Sequence, residues 1–356
     1  MTLLEAIDRN TGNVPLVRLL AAIMMSVSQA FYIAIGTADS EPLLTTTGLT
    51  LWKHAFIIFF GLSGFLLLAS WERHPDALRF FLARLLRILP GLIFAALLTV
   101  VLGAAFTALS LSSYADPMAL GAYILRVTVL MDGQAHLPGV FGPPAPEDHV
   151  LTTLWTMKFL IAGIIGVILL GITGLFRWAF IHVAAIVALI ALDLALNGAQ
   201  PLITLHDAIG HGVRFGLCFA LGMAAWRFRS SLPMHGRIAA AAALMTLAGM
   251  WFGGFPTLAY YVLELYVALW LAFGLRLPKT RASDTDLSYG LYLYAWPATQ
   301  AWHMVAPDMS IALLAILGTA TGGVLAAFSW YAVERPAMAC LPRLLSRARR
   351  SSLSAA

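Results

Sequence analysis

The sequence predicts an all-α integral membrane protein, a bundle of ten transmembrane helices, and three observations predict it. The chain is 60% hydrophobic and 11% charged, with a mean hydropathy of +0.85, whereas soluble globular domains carry about 25% charged residues. Apolar runs of roughly twenty residues, the length that a bilayer core demands, recur along the chain. Lys and Arg gather in alternate short loops between those runs, as cytoplasmic loops do. A net charge of +5 and a pI near 9.4 therefore mark membrane topology, and nucleic acid is not an expected partner.

Taken in order, the ten spans are expected at about 16–36, 50–71, 84–107, 150–174, 178–197, 209–226, 237–253, 257–275, 287–304 and 310–332. The first fifteen residues are polar and the apolar run behind them is long enough to be retained, so no cleavable leader is expected. Ser63 and Gly64 in the second span allow close helix approach. With both termini cytoplasmic, 17 of the 22 basic residues lie on that side and Arg126 alone sits in an outer loop. The longest outer segment, 107–150, carries the turn-rich GPPAPEDH and is expected to be irregular, with a short helix inside 117–131. Cys218 and Cys340 have no ligand or disulfide spacing and are assigned to packing. The organisation is one transmembrane domain, 1–340, and a basic cytoplasmic tail, 341–356.

Ionisable residues inside a membrane are expensive, and so are functional candidates. Arg84 and Arg87 stand at i and i+3 on one helical face, with Pro90 a turn further on. They suit an anion clamp, or headgroup-facing side chains; spacing does not choose between them. Arg18 and Gln29 share one face of the first span, about 16 Å apart along its axis. His211 has Asp207 at i−4 and Arg214 at i+3, a candidate site or a charge-satisfied network. His54, beside Lys53 at the outer end of the second span, is a candidate base or an interfacial residue. Asp193 and Glu264 are intramembrane acids that suit pairing with Arg214 or lining a cavity. No histidines have metal-ligand spacing, so no metal is expected.

Five stretches carry a resemblance. Arg18 in VRLLAA, FFGLSGFLL followed by RFFLARLLRILPG, LPGVF (137–141) with LWT (154–156), DLSYGLYLYAWP (286–297) and SWYAVERP (329–336) occur in that order. The ordered set resembles the membrane acyltransferase-3 family, whose core has ten spans with both ends inside. The resemblance implies an O-acyltransferase that takes an acyl group, acetyl by expectation, from acyl-CoA on the cytoplasmic side of the inner membrane. The implied acceptor is a sugar hydroxyl of a cell-surface or exported glycan or lipid-linked sugar. Arg18, Arg84 and Arg87 would hold the CoA phosphates. Trp155, Tyr289 and Tyr292 are candidates for lining the acceptor path, Tyr292 equally for an interfacial belt and helix packing; Trp302 suits an interfacial belt and helix packing.

Two positions depart from the family pattern. Gln29 stands where the family has a histidine, and Leu160 where it has a glutamate. Imidazole takes up a proton near neutral pH, whereas a carboxamide only exchanges hydrogen bonds and leucine does neither. Two functions stay open: an enzyme with another base, for which His54 and His211 are the candidates, and a catalytically silent family member that binds, translocates or supports a partner among membrane lipids.

Overall fold

The computed structural model describes residues 1–9, 12–37, 40–142, 148–197, 207–277, 285–342 and 345. The basic tail expected at 341–356 therefore lies almost entirely outside the described residues, as do Lys279, Arg281 and His206.

The described helices are α1 (Leu3–Asp8), α2 (Val14–Ile35), α3 (Pro42–Thr47), α4 (Leu51–Arg73), α5 (Ala77–Phe106), α6 (Leu111–Tyr114), α7 (Pro117–Thr128), α8 (Met157–Ile172), α9 (Ala179–Asn197), α10 (Asp207–Arg227), α11 (Gly236–Phe252), α12 (Thr257–Leu269), α13 (Ser288–Val305), α14 (Ile311–Ser329) and α15 (Arg335–Met338). Each of the ten expected spans falls on one of them. Among the described residues, eight helices are long and apolar enough to cross a membrane by length and composition. The other two expected spans are α11, which has 17 residues, and α13. Tyrosines, Trp296, Gln300 and His303 lower the hydropathy of α13, and 14 of its 18 residues are buried. A helix surrounded by protein does not need the apolarity that lipid demands. The opposite case is α9, whose apolar window is only 6% buried.

One boundary moves for a clear reason. The third span was expected from residue 84, but α5 starts at Ala77 because the Asp76 side chain accepts the Arg79 N–H at 2.9 Å, an N-cap. Thirty residues make a helix of about 45 Å against a hydrocarbon core of about 30 Å. The polar first turns, with Arg79 and Arg84, are the surplus.

Contacts between Cα atoms divide the chain into two compact units. The first holds Met1–Met25, Glu41–Pro75 and Phe159–Asp286; the second holds Ser26–Ser40, Asp76–Lys158 and Leu287–Ala356. In the first, α4 packs along α10. A Cβ at Gly64 would overlap the Phe219 carbonyl, and one at Gly222 would overlap the Gly61 carbonyl. The two backbones thus touch through small residues, the usual device where lipid gives no hydrophobic drive to association. Phe60 and Phe215 stack beside that seam, centroids 4.6 Å apart. Helix α12 ends in a π-helical turn, Trp270–Gly274, and the Asn13 amide caps that end by donating to the carbonyls of Leu271 and Leu275 at 3.1 and 2.7 Å.

In the second unit α13 packs on α14 and α5 on α7. Ser26 and Thr319 hydrogen-bond at 2.8 Å. The expected short outer helix is α7, capped by Asp116. Arg126 on it pairs with Asp132 at 2.6 Å, so the cation expected in an outer loop has a local partner. Partial burial alone would raise the Asp132 carboxyl, but the Gln134 N–H and the Arg126 guanidinium outweigh it and hold the group below its usual range. Cys218 is buried as expected, but Cys340 is exposed, because the chain has already left the apolar part of the last span.

Gly222→Val tests the α4–α10 seam. Since the obstacle is backbone, the helices must separate, and a loss of about 2 kcal/mol or more is expected, seen as a lowered melting temperature in detergent. An unchanged melting temperature would remove the seam from the account.

Candidate functional site

The sequence-predicted arginines are placed by two motifs that come late in the chain. In the first unit, Arg18 Nη1 lies 2.6 Å from Asp286 Oδ2, with the guanidinium 5.9 Å from the centre of the Phe59 ring. In the second, Arg87 Nη1 lies 2.8 Å from Glu334 Oε2, and its guanidinium lies over Trp330 at 4.8 Å and Tyr289 at 5.7 Å. Glu334 is 1% exposed and accepts a second bond from Ser329 Oγ at 2.9 Å. A π-helical turn, Trp330–Glu334, carries this carboxylate. Such turns insert a residue into an α-helix and rotate the side chains beyond it. Gly91 lets α5 come close: a Cβ there would be 2.9 Å from Tyr289 and 3.3 Å from Glu334. Arg84, half-buried, stacks on Phe80 at 4.9 Å. Arg18 thus belongs to one unit and Arg84 and Arg87 to the other.

Asp286 and Glu334 lie within the late motifs, yet sequence reasoning did not single them out. The available signal was an acid inside each late motif facing an unmatched intramembrane arginine, since such charges occur in pairs.

Gln29 sits in the second unit, 6% exposed, with Oε1 buried and without a hydrogen-bond partner. Leu160 is half-buried on α8 in the first unit. Trp155 is half-buried in the 3-10 turn Thr152–Thr156. Tyr289 and Tyr292 are buried and stack, 6.4 Å between centroids. Their hydroxyls donate to backbone, Tyr289 to Ile88 at 2.8 Å and Tyr292 to Thr153 at 2.5 Å. Both hydroxyls therefore tie α13 to its neighbours. Tyr294, on the same helix, lines an apolar cavity of about 250 Å³ with Thr99, Phe106, Phe141 and Trp302. Trp302, expected in an interfacial belt and helix packing, donates to Thr321 of α14 at 3.0 Å.

The histidine candidates part company. Arg214 pairs with Asp193 of α9 at 3.2 Å, the pairing that the acids suggested, while Asp207 is exposed. His211 stacks on Phe215, and with Lys53, Arg214, Cys218 and Tyr261 it lines a cavity of about 20 Å³, room for about one water. His54 is not interfacial. It is fully buried, Nδ1 lies 2.5 Å from Glu264 Oε1, and Nε2 lies 3.3 Å from Thr47 Oγ1. The correction has a structural cause: Thr47 of α3 and Tyr260 and Glu264 of α12 close around a ring that position alone would place at the surface.

A comparison with protein-family models matches one over residues 12–335, described as an acyltransferase domain of the acyltransferase-3 group. The chain belongs to the acyltransferase-3 family. The match spans nearly the whole described chain, from the residue before Asn13 to the arginine after Glu334, and so takes in both arginine–carboxylate pairs. Acyltransferase-3 proteins are membrane-embedded, and this one is an acyltransferase by family and a multi-helix membrane protein by its spans. No curated protein and no solved structure matches it.

The Arg87–Glu334 pair is open to a double-mutant cycle. Arg87→Leu strands a buried carboxylate and should cost about 3 kcal/mol or more, while Arg87→Leu with Glu334→Leu should recover much of that loss. Melting temperatures in one detergent measure it; strictly additive losses would mean that the pair is not coupled.

Proposed function

We propose that this acyltransferase is an inner-membrane O-acyltransferase with both termini cytoplasmic. It moves an acyl group, acetyl by expectation, from acyl-CoA on the cytoplasmic side to a sugar hydroxyl of a cell-surface or exported glycan. The observation that carries the reading is the family match from 12 to 335, which spans the arginines and the carboxylates that orient them. Arg87 is fixed in direction by Glu334 and by two aromatic faces, and a planar guanidinium held in place suits phosphate oxygens better than a flexible ammonium does. Arg84, on the same helix as Arg87, and Arg18, in the other unit, are further candidates for phosphate contacts in this reading, and Trp155, Tyr289 and Tyr292 shape the acceptor side through the packing of α13.

A second reading, a family member that binds or translocates without turnover, is favoured by Gln29. Its buried Oε1 has no partner, and a carboxamide cannot relay a proton as imidazole does.

Transfer of label from radiolabelled acetyl-CoA to extracted surface glycan separates the two, in membranes holding the unaltered chain, Arg84→Ala with Arg87→Ala, or Gln29→His with and without Leu160→Glu. Labelling by the unaltered chain at least about tenfold above the double-alanine control is expected. Labelling seen only with Gln29→His would establish the silent reading.

A further inference from the structure

We propose that His54 and Glu264 form a buried proton-transfer site that binds a hydroxyl group, and that in the proposed acyl transfer, on which this inference rests, the site takes the proton of the acceptor hydroxyl. His54 is held at both ring nitrogens. Nδ1 meets Glu264 Oε1 at 2.5 Å, and Nε2 faces Thr47 Oγ1 at 3.3 Å. Thr47 Oγ1 itself receives the Leu49 N–H at 3.0 Å and lies 2.8 Å from the carbonyls of Leu43 and Leu49. The threonine hydroxyl can therefore turn its proton to a carbonyl or to the ring without moving. Carboxylate, imidazole and hydroxyl in a row are the arrangement by which a base is oriented and a proton passed on.

The polar shell around the pair is incomplete. Glu264 Oε2 is buried without a hydrogen-bond partner, and so is the hydroxyl of Tyr260, one turn earlier on the same face of α12. Tyr260 also lies edge-on to the His54 ring, centroids 5.3 Å apart. Thr50 Oγ1, one turn before His54, is likewise buried and unpartnered, and so is Thr246 Oγ1 on α11. Thr246 is one turn before Gly249, where a Cβ would come within 2.6 Å of the Tyr260 hydroxyl. A buried oxygen left unsatisfied is costly, and more so when it is charged. Two of these oxygens, Glu264 Oε2 and the Tyr260 hydroxyl, lie one turn apart on α12 against the His54 ring and describe a place for a group that both donates and accepts hydrogen bonds. Water and a sugar hydroxyl share that chemistry.

The step balances without redox. The acceptor O–H breaks as its proton passes to the His54–Glu264 pair, and the acceptor oxygen bonds to the acyl carbon. The thioester C–S bond breaks, the thiolate takes up the proton, and ester and thiol are the products. The titratable groups around the pair are Tyr260 and Tyr261 on α12 and Cys218 on α10; Lys53, His211 and Arg214 line the neighbouring cavity, and Glu41 accepts the Leu51 N–H at the start of α4.

The test measures acetyl transfer from labelled acetyl-CoA to extracted surface glycan by the unaltered chain, His54→Gln, Glu264→Gln and Tyr260→Phe. Rates are taken between about pH 5 and 8. His54→Gln should lower kcat at least about 100-fold, abolish the pH dependence of kcat and leave the KM for acetyl-CoA unchanged. Tyr260→Phe should raise the KM for glycan and keep the pH dependence. A His54→Gln protein that elutes as one species and keeps kcat within about threefold overturns the proposal. Tyr260→Phe preserves ring packing and keeps the test decisive where His54→Gln does not fold: an unchanged glycan KM overturns the hydroxyl site.

Infrared difference spectra need no turnover. A carboxyl band lost in Glu264→Gln should respond to pH and shift when glycan is added. A band that responds to pH but not to glycan means water occupies the site and overturns the acceptor role. A glycan-sensitive band in a chain that transfers no acetyl supports the site and removes the proposed acetyl transfer instead.

Discussion

A guanidinium inside an apolar helix bundle needs a counter-charge, because hydrocarbon supplies neither water nor ions to solvate it. Arg18, Arg87 and Arg214 are met by Asp286, Glu334 and Asp193. The first two pairs each span more than 240 residues of sequence, at separations of 268 and 247. Each of those two ties an early helix to one of the closing motifs. The motifs that look independent along the chain are thus halves of electrostatic contacts, and the requirement to neutralise charge in lipid is what brings them together.

The same requirement separates structural from chemical polarity. The hydroxyls of Tyr289 and Tyr292 go to backbone carbonyls, and Trp226 donates to Glu72 at 2.8 Å. These groups hold helices at fixed distances and have little left to offer a substrate. The His54–Glu264 pair differs because its surroundings are left incomplete, with buried oxygens of Glu264 and Tyr260 that meet no donor or acceptor. Gln29 likewise has one buried oxygen without a partner, but its side chain cannot change protonation state. The proposed proton transfer is placed at the first of these because its side chains can change protonation state.

Close backbone approach supplies the second constraint. Gly61, Gly64 and Gly222 bring α4 and α10 into contact, and Gly91 opens room for Tyr289 and Glu334. Two π-helical turns, at Trp270–Gly274 and Trp330–Glu334, adjust where helices end, and the second aims Glu334 at Arg87. Small residues and local rewinding do in this fold what long apolar side chains do in a soluble core.

The sequence by itself determined the membrane class, the helical segments and the family. Bilayer thickness fixes the length and apolarity of a span, and the ordered motifs are specific enough to name the family. It also pointed to Arg18, Arg84, Arg87, His54 and His211. Only the tertiary structure decided what each of them meets. Spacing on one helix shows which residues share a face, which is why Asp207, His211 and Arg214 looked like a cluster, but Arg214 turned to Asp193 on another helix. Position near a span end suggested an interfacial His54, yet Thr47 of α3 and Tyr260 and Glu264 of α12 meet the ring and bury it. Partners of a charge in lipid are chosen by three-dimensional proximity under a strong penalty for remaining alone, and a one-dimensional pattern contains the penalty but not the proximity.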